Sequence, residues 1–189
     1  MLKVGDALLI VDVQNDFCPG GALAVSKGDD VVPILNRWIE EAGVAGVPVF
    51  ASRDWHPPDH ISFKDRGGPW PPHCIRDTFG AAFHPDLMLP PDVEVISKAE
   101  TSDADSYSAF GETDLSERLR NAGIKRVWVG GLAQDYCIRA TALDALKEGF
   151  EVHLIVNATR PVDVNPDDGQ RALEEIWRAG GILEDTVKQ

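Results

Sequence analysis

The stretch "ALLIVDV", residues 7–13, decides how the chain is read. It is a near-continuous apolar run rather than an alternating one. That is the pattern of a strand buried on both faces, and such strands belong to parallel sheets flanked by helices. The run also contains Asp12, and Asp16 lies just beyond it. A carboxylate where a buried strand ends has two readings: a solvated residue that starts the next turn, or a proton-transfer group directed into a cleft.

Outward from that strand, helix-like and strand-like segments alternate to the end of the chain. Val31 to Ala45 carries Ile34, Leu35, Trp38, Ile39 and Ala42 at helical spacing. Val47 to Ser52 reads as strand two, Val93 to Ser97 as strand three, Val127 to Leu132 as strand four and Glu151 to Asn157 as strand five. Asp114 to Ala122, Asp135 to Glu148 and Asp167 to Ala179 read as helices, and Ile182 to Asp185 as a short final edge strand. The expected fold is α/β, a three-layer α/β/α arrangement around a mainly parallel sheet of about six strands. One domain over residues 1–189 is expected from the length.

Composition narrows the function classes. Hydrophobic residues are 43% and charged residues 26% of the chain, which is ordinary for a soluble globular protein and argues against disorder or a coiled coil. No apolar stretch approaches the roughly 20 residues that span a bilayer, and the N-terminus lacks the regions of a signal peptide, so a cytoplasmic protein is expected. The net charge of −13 disfavours nucleic acid and anionic membranes as partners and favours a small neutral or cationic ligand. Cys18, Cys74 and Cys137 are an odd number without CxxC spacing, which leaves at least one thiol free. Nothing in the sequence sets the oligomeric state, and a homo-oligomer is compatible with it.

In an open α/β sheet, ligands bind in the crevice outside the carboxyl ends of the strands. Asp12 lies near the end of strand one, Lys98 follows strand three, and Cys137 lies in the first turn of the helix after strand four. All three are therefore expected at one edge of the sheet. A thiol becomes a nucleophile when ionised, which a helix N-terminus and a nearby cation promote while a carboxylate takes the proton. The loop from Gly130 to Asp135 brings backbone N–H groups close to the thiol, as oxyanion stabilisation requires. Together these features point to acyl transfer through a thioester. Taken singly, Cys137 reads more often as a small buried hydrophobe than a nucleophile, Lys98 usually as a strand-end surface residue and Asp12 as a turn former; their shared place at one sheet edge favours the catalytic reading.

Between strands two and three runs a long Pro- and Gly-rich segment, and connections of such length in compact domains are usually functional or disordered. It carries Asp54, His56 and His60 in "RDWHPPDHISF" (residues 53–63) and His73 in "WPPHC" (residues 70–74). Asp and neutral imidazole suit Zn, Mn or Fe(II), but a loop whose histidines only bond to backbone fits the same residues. Pro57 and Pro58 forbid a helix between His56 and His60. Phe17, Trp70 and Tyr107 lie on loops around the same crevice, either as core residues or as a flat slot for a planar substrate.

The blocks "ALLIVDVQNDFCPGGALAV", "SRDWHPPDHISF", "GPWPPHCIRDTFGAAFHPDL", "ISKAETSDADSYSAF" and "VGGLAQDYCIRATALDAL" occur in an order and spacing that resemble the nicotinamidases of the isochorismatase-like hydrolase superfamily. The resemblance covers almost the whole chain. It implies hydrolysis of nicotinamide to nicotinate and ammonia in NAD salvage, with pyrazinamide as a related substrate. Asp12, Lys98 and Cys137 match the family's catalytic triad, and the N–H groups of Ala133 and Cys137 its oxyanion hole. The bond between Leu132 and Ala133 matches one that is cis in the family. Asp54, His56 and His73 match ligands of one divalent metal ion, Zn²⁺ ahead of Fe²⁺ or Mn²⁺. His60 matches a fourth ligand that varies more among members. Phe17, Trp70 and Tyr107 match the pocket walls, and Tyr136 stands where some members have His.

Two rivals remain at this stage. One is another amide hydrolase of the same superfamily, with the same triad and a different pocket. The other, a non-catalytic nucleotide-binding α/β domain, would need a Gly-rich phosphate loop after strand one, and "DVQNDFCPGGAL" is not one.

Overall fold

Strand β1 (Asp6–Val11) is buried at every position. Ala7, Leu9 and Val11 join the core on one face of the sheet and Leu8 and Ile10 the core on the other. This is the two-residue period of a strand covered on both sides. The structure, a computed structural model, describes residues 1–184. It adds strands β2 (Val49–Asp54), β3 (Glu94–Lys98), β4 (Arg126–Leu132), β5 (Glu151–Arg160) and β6 (Ile182–Glu184). The helices are α1 (Val31–Ala45), α2 (Leu115–Asn121), α3 (Arg139–Lys147) and α4 (Asp168–Arg178).

The six strands pair in parallel in the order β3-β2-β1-β4-β5-β6. Helix α1 buries Val31, Leu35, Trp38 and Ile39 against the Leu8 and Ile10 face. Leu115 and Leu119 of α2, Ala142 and Ala145 of α3 and Ile176 of α4 cover the opposite face. The expected three-layer α/β fold is therefore the observed one. Strand order reverses between β1 and β4, so the loops leaving those two strands diverge and open a crevice at their carboxyl ends. No helix among the described residues is long and apolar enough to cross a membrane.

Several boundaries differ from expectation. The first strand ends at Val11, not Val13, because Asp12 adopts a left-handed backbone with φ 50°. Its N–H still donates to Ser52 O (3.1 Å), the last backbone rung between the two segments. Lys98 is the last residue of β3 rather than the one after it. The helix expected from Asp135 to Glu148 splits into a π-helical turn, Gln134–Ile138, and α3. Strand five continues to Arg160, past a register shift opposite Val129 and Gly131 of β4. Gly131 has φ 131°, and a Cβ there would lie 2.0 Å from Val11 O, so only glycine lets β4 pass β1 at this point. Asp185, the last residue of the expected final strand, lies outside the described residues.

Candidate active site

The crevice gathers side chains from four segments. Asp12 follows β1, Asp54 ends β2, Lys98 ends β3, and Cys137 sits in the π-helical turn after β4. Lys98 is in register with Asp54 across the β2–β3 pair. Its ammonium contacts Asp54 Oδ1, lies 3.0 Å from Asp12 Oδ2 and 3.7 Å from Cys137 Sγ, and donates to Ser106 O at 3.2 Å. One carboxylate oxygen each of Asp12 and Asp54 and the Cys137 sulfur all lie within 4.8 Å of one another. Asp12, Lys98 and Cys137 are 0%, 1% and 5% exposed, so solvent screens the Asp12–Lys98 pair little.

Their protonation follows from that burial. Asp12 Oδ1 accepts a hydrogen bond from Ser52 Oγ (2.7 Å), whereas Oδ2, although close to Lys98, accepts none in good geometry. Burial pushes the Asp12 carboxyl above its ordinary range despite the Lys98 charge. Burial also pushes the Cys137 thiol well up, with Lys98 opposing. For Lys98, burial disfavours the charge, but Asp12 and Asp54 outweigh it and hold the ammonium well above its ordinary value. For Asp54, burial is outweighed by Lys98 and then His56, which keep its carboxyl low. The site thus rests as a neutral thiol beside a carboxylate with raised proton affinity and a permanent cation, which is what reversible proton transfer from sulfur needs.

Beside this group, Asp54, His56 and His73 each offer one ligand atom, all within 4.8 Å of one another. His56 Nδ1 donates to Ala99 O (3.1 Å) and His73 Nδ1 to Pro71 O (2.8 Å). Those carbonyls take the Nδ1 side of each ring and leave Nε2 facing the group. His56 Nε2 lies 3.5 Å from Asp54 Oδ2, and burial of His56 is outweighed by the Asp54 carboxylate, which holds the ring above its ordinary value. Burial pulls His73 below its ordinary value, which keeps it neutral and fit to ligate. The donor set of one carboxylate and two imidazoles therefore fits a divalent cation such as zinc. His60 is placed differently from the other three. Its ring stacks on His56 at 4.1 Å, but Nδ1 is engaged by Ser62 Oγ (2.7 Å) and Nε2 by Ala104 O (2.9 Å). With both nitrogens bonded to protein, His60 stands outside the three-ligand group.

The aromatic residues line the mouth. Phe17, Trp70, Tyr107 and Tyr136 line one pocket together with Asp54, His73, Ala133 and Cys137. Trp70 Nε1 donates to Tyr107 Oη (3.0 Å), and both rings meet Tyr136 edge-on at 5.2 and 5.4 Å. The Leu132–Ala133 peptide bond is cis. Three further wall residues, Leu23, Val25 and Val162, carry no polar signal that sequence reasoning would find. Asp16 is kept out of the chemistry: Oδ2 accepts from Cys74 N (2.7 Å) and Oδ1 from Ala22 N (3.1 Å), binding two loops together.

Comparison with known proteins agrees with this geometry. Residues 6–186 match the isochorismatase domain model. The chain is 41% identical to the nicotinamidase of Escherichia coli K12, over 94% of this chain and 93% of that one. Among solved structures, a pyrazinamidase of Pyrococcus horikoshii in complex with zinc superposes with a TM-score of 0.92 at 49% identity, covering 96% of this chain and 99% of that one. PnC1 from L. infantum in complex with nicotinate superposes with a TM-score of 0.87 at 37% identity, covering 96% and 93%. A family match over residues 6–186, on a fold that superposes on these solved structures, makes this chain a member of the isochorismatase domain family.

Proposed function

We propose that the chain, acting as a single hydrolase domain over residues 1–189, hydrolyses nicotinamide to nicotinate and ammonia through a thioester on Cys137, in a route that salvages the pyridine ring for NAD. The observation that carries this is the buried Asp12–Lys98–Cys137 group, whose Cys137 lines an aromatic pocket together with Asp54 and His73, beside the Asp54, His56 and His73 donors. The similarity to a nicotinamidase, a zinc-bound pyrazinamidase and a nicotinate complex supports the substrate class. The net charge of −13 is in keeping with a small neutral substrate rather than nucleic acid.

The steps follow from the proton affinities. Asp12 accepts the Cys137 proton, and the sulfur bonds to the carboxamide carbon. The N–H groups of Ala133 and Cys137 act on the oxygen that gains charge, and Lys98 offsets the charge gathering around Asp12 and the thiolate. Asp12 then gives its proton to the leaving nitrogen as the C–N bond breaks and ammonia departs. Water enters, loses a proton to Asp12 and attacks the thioester; the C–S bond breaks, and the sulfur regains its proton from Asp12. One carboxylate serves as base, acid, base and acid again, for which a raised proton affinity is suited. Phe17, Trp70, Tyr107 and Tyr136 sandwich the ring and exclude water. A divalent cation held by Asp54, His56 and His73, Zn²⁺ by likeness, supplies a Lewis-acidic partner for the ring nitrogen.

Ammonia release from nicotinamide, pyrazinamide and an aliphatic amide, with metal-analysed protein, tests this. The two ring amides should be preferred, and Cys137→Ala should abolish turnover while the protein stays folded. Preference for the aliphatic amide would reassign the substrate, and normal turnover by the variant would remove the thioester. Chelation should raise KM more than it lowers kcat; an unchanged KM in fully metal-free protein would refute the orienting role.

A further inference from the structure

Gln14 is completely buried, and its carboxamide makes three hydrogen bonds. Nε2 donates to Asp54 O (2.8 Å) and to Ala81 O (2.9 Å), while Oε1 accepts from Asp54 N (2.8 Å). Both backbone groups of Asp54 are therefore held by one side chain. The reason lies in where β1 stops. Its ladder with β2 runs from Leu8 opposite Val49 to Val11 opposite Ser52, and the Asp12 N–H to Ser52 O is the last backbone rung. There the chain turns out of the sheet with φ 50°, leaving Asp54, two residues further along β2, with no β1 backbone beside it. A glutamine amide carries the same donor and acceptor as a peptide group. It replaces the missing rung, and its second proton reaches the long loop at Ala81.

We propose that Gln14 is a positioning residue for the metal site. It holds the Asp54 backbone so that the carboxylate stays between the Lys98 ammonium and the imidazoles of His56 and His73. Its bond to Ala81 anchors the segment that follows His73 to the same amide. This rests on the metal site argued under the proposed function. A glutamine buried only for stability would leave metal affinity alone, and the two roles separate on that readout.

The test is Zn²⁺ affinity, measured by competition with a chromophoric chelator for the wild-type chain, Gln14→Glu and Gln14→Met, with nicotinamide kinetics alongside. Glu keeps the acceptor for Asp54 N–H but loses both donors and sets a carboxylate against two carbonyl oxygens. Met removes all three bonds at similar size. Both variants should lose about 10- to 100-fold in zinc affinity, the range found when groups orienting metal ligands are removed. KM should rise more than kcat falls at saturating zinc. Wild-type zinc affinity in a folded variant would overturn the proposal, as would a wild-type chain that does not bind zinc. Where neither variant folds, the ¹⁵N side-chain resonances of Gln14 in the wild-type chain decide: they should exchange slowly and shift on zinc addition, and insensitivity to zinc would overturn it. Tight zinc binding that weakens in the variants, without ammonia release from nicotinamide by the wild type, would support the Gln14 role while the substrate assignment fell.

Discussion

Two aspartates bracket the same strand. Asp6 opens β1 and Asp12 follows its last residue; they are 1% and 0% exposed, and each faces a basic side chain. At the amino end, Asp6 takes two hydrogen bonds from Arg126 (2.8 and 2.6 Å), one from Lys3 N (3.0 Å) and one from Trp128 Nε1 (3.1 Å). Burial would raise its carboxyl, but the Arg126 bond and the two other donors outweigh it and the net shift is downward. At the carboxyl end, Asp12 has one hydrogen bond, from Ser52, and an Oδ2 without a well-directed donor. There burial wins and the carboxyl shifts up. The same residue type at the two ends of one strand thus serves opposite purposes: with four donors around it, the charge holds the fold, and with an oxygen that lacks a well-directed donor, the proton is kept mobile.

The sharpest way to break that contrast is Asp12→Asn. It should lower nicotinamide turnover by about 10³-fold or more, within the range for losing a general acid–base group. It should not lower the melting temperature, because a carboxylate penalised by burial becomes a neutral amide and Lys98 keeps Asp54. An active variant would remove Asp12 from the chemistry, and a strongly destabilised one would make it structural. Asp6→Asn should do the reverse. Arg126 and Trp128 would lose a charged acceptor, at a cost of about 2–3 kcal/mol in a denaturant melt. Its kcat should equal that of the wild type, since the crevice lies at the other end of the strand. A loss of kcat with unchanged stability would show that the two ends are not independent.

The two aspartates were not equally legible in the sequence. Asp12 stood out because a carboxylate interrupts an apolar run, and topology then set Lys98 and Cys137 at the same edge. Asp6 gave no signal of its own, because its partners Arg126 and Trp128 lie 120 and 122 residues away. Gln14 was missed for the same reason: its partners are backbone groups of Asp54 and Ala81, and backbone groups leave no mark in residue identity. Strand and helix order came from periodicity, which reports burial well. Periodicity does not separate a π-helical turn from an α-helical one, so Gln134–Ile138 merged with α3. His60 lies among ligand-type residues in the sequence, yet the carbonyl of Ala104 that takes its Nε2 is 44 residues away.

Acid separates the two carboxylates by sign and by window. Asp6 has a folded-state value below its ordinary 3.8. Its stabilisation is therefore present above that ordinary value and lost as pH falls through the lower folded one. The stability gap between the wild type and Asp6→Asn should be full at pH 7 and close only on the acid side of 3.8. Asp12 is shifted up, so its ionised form is the destabilised one. Any gain in Asp12→Asn should be present at pH 7, start to shrink as pH falls below the raised folded value, and be gone below the ordinary 3.8, where the wild-type carboxyl is protonated folded and unfolded alike. Melting curves of the three chains, metal-free, at steps from pH 7 to pH 3 would show the Asp12 pair converging first and the Asp6 pair last, from opposite sides of the wild type. Convergence in the other order would mean that Lys98 overrides burial at Asp12, and the proton carrier in the crevice would have to be sought elsewhere.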